Sequence, residues 1–355
     1  MSEQFRYGVI GTGMMGVEHI MNINHIDGAA VTAYADPNEQ SRSNAASVTT
    51  DAVGFADHRE LIESDLVDAV VIVTPNHTHV DVLADTLETD LHVLVEKPLC
   101  TTVEDCRLTV ERAAHRDAIT WVGLEYRYMP PITRLIDEVK KGTVGDLKML
   151  AIREHRFPFL PKVDNWNRFN RNSGGTLVEK CCHYFDLMNH IIGSEPVRVM
   201  ASGGQDVNHL DEEYDGERPD ILDNAYVIVD YDSGARAMLD LSMFAEATYN
   251  QEEIVAVGSM GKVEAFIPEM LIRIGRRGEH YIGESEQQHV IDPRIKFQGG
   301  HHGSSYLEHL DFIAACRGGM APVVDLDAGL MSVAMGLAAH QSIDERRVVE
   351  MSEVL

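Results

Sequence analysis

Apolar runs at Tyr7–Ile10, Ala29–Ala35, Ala69–Val73, Val93–Val95 and Ile119–Gly123 are separated by stretches long enough for crossover helices. Short apolar runs bounded by turn residues read as strands, and their alternation with helical stretches predicts a parallel, doubly wound sheet. The rhythm stops at Glu125–Pro131, where EYRYMPP brings paired prolines. Beyond it, Lys148–Arg153, Ala225–Tyr231, Ala235–Leu241 and Glu253–Val257 are strand-like without helical stretches between neighbours. Strands joined in that way pair antiparallel. The chain is therefore expected to be α/β, with a doubly wound domain over residues 1–124 and an α+β domain over 125–355 built on a large open, mostly antiparallel sheet. No internal repeat or low-complexity tract interrupts either part.

Composition narrows the setting. At 355 residues and 44% hydrophobic, the chain can bury a large core. No apolar run approaches the roughly 18 residues of a membrane helix. Met1–Arg6 leads straight into the first strand, so a cytoplasmic protein is expected. A net charge of −27 repels nucleic acid and anionic membranes, and its spread along the chain marks a solvated surface. Five cysteines without a CxxC pair fit neither a disulfide framework nor a zinc site, and no metal is expected.

The first chemical motif is GVIGTGMMG, in which Gly11, Gly13 and Gly16 form G-x-G-x-x-G between a strand and a helix expected over Met14–Ile26. Twenty residues after Gly16, Asp36 closes the second strand. That spacing is the dinucleotide fingerprint of a Rossmann domain. Gly11 permits the turn, Gly13 admits the pyrophosphate, and Gly16 brings helix and strand close, while an acidic residue bonds the adenosine ribose. Met14 and Met15, opening the helix, complete the phosphate turn. No basic residue stands between Asp36 and Arg42, so NAD is favoured over NADP.

Two further strand ends lie on the same edge of the sheet. Thr74, Pro75, Asn76 and His79 follow the fourth strand, where a cofactor would pass. Glu96, Lys97 and Pro98 leave the fifth, inside one of two LVEK strings. A lysine there, near a nicotinamide, would feel desolvation and the ring's positive charge. Both lower its pKa and suit it to accept a proton.

With these residues in view, the chain resembles the Gfo/Idh/MocA oxidoreductases, the glucose-fructose oxidoreductase and inositol dehydrogenase superfamily. The resemblance rests on the glycine triplet with His19, Asp36, Thr74-Pro75 and Glu96-Lys97-Pro98. It extends through Arg127 and Pro130, the segment Gly174–Asp186, HHGSSYLEHLDF and the final helical stretch. It implies a Rossmann domain followed by an α/β domain whose open sheet mediates dimers or tetramers, and nicotinamide-linked chemistry on sugars, inositols or related polyols.

The second LVEK, Leu177–Lys180, opens a helix expected over Thr176–Ile192. Glu179, His183, Asp186 and His190 form one polar stripe on it, with Lys180 off the stripe as a surface residue. The resemblance places Glu179 where the family has Asp, His183 where it has His, and Cys181 where it has Gly. Lys97, His183 and Glu179 are the expected catalytic set: Lys97 or His183 takes a hydroxyl proton and Glu179 orients the substrate or His183. Arg127, Arg156, Trp166 and His302 join them as substrate residues, Arg127 also reaching the cofactor, and either His301 or His302 could enter the pocket. Two alternatives stay open: an NAD-retaining enzyme that cleaves glycosides without net redox change, and a dinucleotide-sensing regulator without turnover.

Overall fold

The computed structural model describes residues 4–278 and 282–355, so the first three residues of the Met1–Arg6 segment lie outside it. Six strands form the first sheet: β1 (Phe5–Ile10), β2 (Ala29–Ala35), β3 (Val53–Phe55), β4 (Ala69–Ile72), β5 (His92–Glu96) and β6 (Thr120–Gly123). They run in the order β3-β2-β1-β4-β5-β6, every pair parallel. Val70, Val71, Ile72 and Val93–Val95 are fully buried because helices cover both faces, which is why these strands read as continuous apolar runs. The three-residue β3 is too short to stand out in the apolar pattern. Neighbours β1 and β4 lead in opposite directions through the sheet, and a crevice opens beyond their carboxyl ends.

The second sheet has nine strands: β7 (Leu147–His155), β8 (Pro196–Gly204), β9 (Asn224–Tyr231), β10 (Arg236–Ser242), β11 (Glu252–Gly258), β12 (Gly261–Ile267), β13 (Leu271–Arg276), β14 (Glu284–His289) and β15 (Val349–Glu350). Their order is β14-β13-β12-β11-β7-β10-β9-β8-β15. Every pair is antiparallel except β7 with β10. Ala225, Val227, Val229 and Tyr231 alternate inward toward a core shared with the helices Pro130–Lys140, Cys182–Ile192 and Leu326–Glu345. The opposite face carries an apolar row between charged positions such as Arg236, Asp230 and Asp240. Met200, Ile228, Met238 and Ala151 sit side by side in register across β8, β9, β10 and β7, and Met200, Ile228 and Met238 are exposed.

The two sheets do not have separate stretches of chain for their cores. Tyr306 and Phe312 of the helix Ser304–Cys316, with Val324 and Val333, join the buried cluster of β1–β6. Trp121 Nε1 on β6 donates to Glu308 Oε1 at 3.1 Å. Late residues thus cover the open edge of the early sheet.

One expected element is broken. Thr176–Ile192 is two helices, Thr176–Glu179 and Cys182–Ile192, interrupted at Lys180 and Cys181. The break turns Lys180 inward instead of onto the surface.

Candidate active site

The glycine triplet divides its labour as its spacing predicts. Gly11 has φ +90°, and a Cβ there would meet Val73 O at 2.6 Å; one on Gly16 would meet Gly11 O at 2.1 Å. A Cβ on Gly13 would touch nothing within 4 Å. Gly13 N-caps the ten-residue helix Met14–Ile23, which has no side-chain cap and no acidic residue in its first turn. Its free N–H groups and dipole are left to meet an anion. Asp36 is pinned, with Oδ2 accepting from Thr12 N at 2.7 Å and Oδ1 from Asn38 N at 2.8 Å.

Thr74, Pro75, Asn76 and His79 line the same cleft, as do Met14 and Met15. Asn76 Nδ2 donates to Ser173 O at 3.0 Å, tying the β4 turn to the second half of the chain. The His79 ring nitrogens lie 2.9 Å from Pro98 O and 3.0 Å from Thr74 O, joining the turns after β4 and β5. Burial lowers the pKa of His79 while the two carbonyls raise it, and the neutral ring donates to one of them at a time.

Lys97 stands at the cleft's centre. Its backbone N donates to Glu96 Oε2 and its Nζ to Glu179 O, each at 3.0 Å. Glu96 Oε1 in turn lies 2.9 Å from His19 Nε2, and His19 Nδ1 lies 2.9 Å from His309 Nε2. Burial opposes ionisation of Glu96, yet His19 and Lys97 hold its pKa at about 2. Burial likewise opposes charge on Lys97, but Cys182, Glu96, Glu179 and Glu125 outweigh it and raise its pKa. The expectation that Lys97 would be depressed is therefore corrected for the protein alone: its carboxylate neighbours keep it an ammonium.

His183 has the opposite character. Burial first, then Lys97, Lys180, His301 and Arg156, push its pKa well below the ordinary histidine range. It is a neutral imidazole at pH 7, stacked on Tyr126 with centroids 4.0 Å apart and planes 7° from parallel. Glu179 lines the cleft beside it; burial raises its pKa, and its Oε2 is buried without a hydrogen-bond partner among the described residues.

Beneath the stack lies a charged cluster absent from the sequence reading. Lys180 Nζ donates to the Tyr126 hydroxyl at 2.6 Å and pairs with Glu154 Oε1 at 3.0 Å. Lys180 is 5% exposed, so its assignment to the surface is overturned by the helix break. Arg156 and Trp166 line the cleft as expected, joined by Lys162 and Glu125. Arg127 does not: its guanidinium grips Asp186 in a two-pronged ion pair and donates to Val323 O at 2.8 Å, bracing the helix Cys182–Ile192. Of the adjacent histidines, His301 lines the cleft and His302 does not, because the left-handed backbone at His302 (φ +57°) and Gly303 (φ +85°) turns the chain away.

Comparison with known proteins meets this geometry. Residues 5–124 match "Oxidoreductase family, NAD-binding Rossmann fold" and residues 136–351 match "Oxidoreductase family, C-terminal alpha/beta domain", the two parts of the Gfo/Idh/MocA family. The chain belongs to the Gfo/Idh/MocA oxidoreductases. It is 31% identical to a myo-inositol 2-dehydrogenase of Thermotoga maritima, over 99% of both chains. It is 26% identical to a scyllo-inositol 2-dehydrogenase (NAD(+)) of Bacillus subtilis, over 99% of this chain and 97% of that one. A crystal structure of a probable dehydrogenase from Thermotoga maritima superposes with a TM-score of 0.79 at 28% identity, covering 99% of this chain and all of that one.

As a Gfo/Idh/MocA oxidoreductase the chain carries an NAD-binding Rossmann domain, and its residues fit a dinucleotide. The cleft, about 1370 Å³, exceeds the roughly 300–1,000 Å³ of a single-ligand pocket and runs from Asp36 to His183. The uncapped helix N-terminus faces the open side of Gly13, where a pyrophosphate belongs. The basic groups nearest Asp36 are already engaged. Arg42 donates to Asp36 O and Pro37 O, and Arg59 pairs with Asp85 at 2.8 Å. Among the residues lining this oxidoreductase's cleft, Glu18, Glu125, Lys162 and Lys180 escaped the sequence reading, and of the two histidines it left open His301 is the one that enters. Only His301 had a local signal, its glycine-bounded loop.

Proposed function

We propose that this NAD-binding oxidoreductase dehydrogenates a sugar, inositol or related polyol, moving a hydride between a secondary alcohol carbon and nicotinamide. The observation that carries the reading is the meeting of Lys97, Glu179 and His183 in one cleft in complementary protonation states. Nicotinamide, when bound, supplies the hydride acceptor or donor. The chain supplies the rest. Neutral His183 is the hydroxyl-proton acceptor, the Lys97 ammonium donates a hydrogen bond to the oxygen as negative charge develops, and Glu179 orients the hydroxyls. Arg156, Lys162 and Trp166 offer further donors and an apolar wall to the ring.

The inositol dehydrogenases among its relatives support this substrate class. The fixed Asp36 carboxylate, with Arg42 and Arg59 occupied, supports NAD over NADP. We further take residues 1–124 as the cofactor part and 125–355 as the substrate and oligomerisation part, with residues 304–333 returning to brace the first. The exposed apolar row on the second sheet supports a homodimer or homotetramer.

The test is NADH formation by the purified protein with inositols, aldoses and sugar acids. Stereoselective turnover of one polyol class supports the reading; tight NAD binding with no turnover of any contradicts it.

A further inference from the structure

A general base that is 2% exposed cannot give its proton straight to bulk water, yet it must return to neutral in every cycle. His183 is such a base under the dehydrogenase reading, on which this inference rests. Its Nδ1 is buried without a hydrogen-bond partner, and so is Oε2 of Glu125. The two orphans face each other across 3.7 Å. That is too long for a hydrogen bond at rest, and catalytic contacts often tighten only when the site is loaded. A buried donor and a buried acceptor left unpaired each cost stability, so their juxtaposition calls for a reason.

The line continues on the far side of Glu125. Its Oε1 lies 3.9 Å from His301 Nε2, and His301 Nδ1 lies 3.1 Å from Glu18 Oε1. Side-chain exposure rises from 2% and 4% at His183 and Glu125 to 25% and 17% at His301 and Glu18. We propose that Glu125 and His301 relay the substrate proton from His183 to solvent by way of Glu18. As His183 Nε2 accepts the hydroxyl proton, its Nδ1 proton moves to Glu125 Oε2. Glu125 then protonates His301 Nε2 while His301 Nδ1–H passes to the Glu18 carboxylate. One proton enters at His183 and one leaves at Glu18; each histidine then holds its proton on Nε2, and a half-turn of each ring restores the Nδ1–H form before the next cycle.

The electrostatics suit a carrier at Glu125; burial opposes ionisation of Glu18, yet His301 and Gly300 lower its pKa, so Glu18 holds the proton only in passing before solvent takes it. Burial raises the pKa of Glu125. His301 is raised in spite of burial, chiefly through its hydrogen bond to Glu18 and the charge of Glu125. The titratable groups around the Glu125 carboxyl are its neighbour Tyr126, Glu96 and Lys97 from the end of β5, Cys182 and His183 from the helix Cys182–Ile192, and His301 and Glu308 from the later segment. Among the ionisable side chains of the described residues, only the two histidines bring a nitrogen within 4 Å of its oxygens. Lys97 offers no parallel route, since its ammonium is engaged by Glu179 O.

The test pairs Glu125→Gln, which keeps the shape and loses the proton acceptor, with His301→Gln. Glu125→Gln is expected to lower kcat by about tenfold or more with substrate and NAD KM nearly unchanged. Wild-type kcat should rise with pH through a limb above the ordinary carboxylate range, and that limb should vanish in Glu125→Gln. His301→Gln should recover rate when imidazole buffer is added, as a severed proton path does and a packing defect does not. In the protein without cofactor, 15N shifts of wild-type His183 should show the proton on Nδ1. Wild-type turnover with an unaffected Glu125→Gln, a loss confined to KM, or a His183 protonated on Nε2 each overturns the relay alone. Absence of NAD-linked turnover by the wild type overturns the dehydrogenase reading and the relay with it.

Discussion

Lys180 Nζ lies 2.6 Å from the Tyr126 hydroxyl, under the ring that stacks on His183. The same ammonium neutralises Glu154, which is fully buried, and burial lowers the Lys180 pKa while Glu154 raises it. Removing one partner of a buried ion pair costs about 3–5 kcal/mol when the other is left uncompensated, and Arg156 Nη1, 3.4 Å from the same Glu154 oxygen, offsets part of that, leaving about 1–3 kcal/mol. Lys180→Met should therefore destabilise the fold by that order in urea unfolding. Adding Glu154→Leu should recover part of the loss. A Lys180→Met protein as stable as the wild type would remove the cluster's structural role.

Asp36 tests cofactor choice. Hydrogen bonds to a charged group contribute about 1.5–3 kcal/mol, so Asp36→Ala should weaken NAD binding by roughly ten- to a hundredfold, read by fluorescence titration. NADP binding should weaken less or improve, since the repelling carboxylate is gone.

The Glu96–His19 pair sets an acid limit. Glu96 has a folded pKa of about 2 against an ordinary 4.5, so its contribution is present above the ordinary value and fades as pH falls toward 2. Wild-type stability should drop across that window, and Glu96→Gln should lose the Glu96 part of the drop. The variant's stability at pH 7 should already be lower.

The sheet face tests assembly. Met238 and Ile228 are neighbours on exposed β-strand positions, 39% and 42% accessible, within the apolar row. Such a patch marks an interaction surface. Ile228→Glu with Met238→Glu should shift the protein to monomer in light scattering while leaving NAD binding intact.

What the sequence disclosed follows from what is local. Gly11, Gly13, Gly16 and Asp36 sit at spacings fixed by one strand-turn-helix-strand unit, and Lys97, Glu179 and His183 sit on motifs of a few residues. All of these except Gly16, which lets the helix pack on the strand, reach one cleft. Lys180 was misread because helical periodicity assumes an unbroken helix, and the chain breaks after Glu179. Arg127 belonged to the right segment, but its long-range partner Asp186 claims it. Glu125 looked like part of a boundary, and its role depends on His183 and His301, 58 and 176 residues away along the chain. The bracing of the first sheet by residues 304–333 is also tertiary: largely apolar helices do not announce which sheet they cover.

The most direct test of the account follows the hydride and the base together. The best polyol substrate, deuterated at its oxidised carbon, is incubated with NAD and the wild type, Lys97→Met or His183→Ala, and the nicotinamide product is weighed by mass spectrometry. The account predicts one deuterium per NADH in the wild type, and a rate lower by about 10²–10⁴ in His183→Ala with NAD binding retained. Turnover that places no deuterium on the nicotinamide, or a His183→Ala enzyme as fast as the wild type, would contradict it.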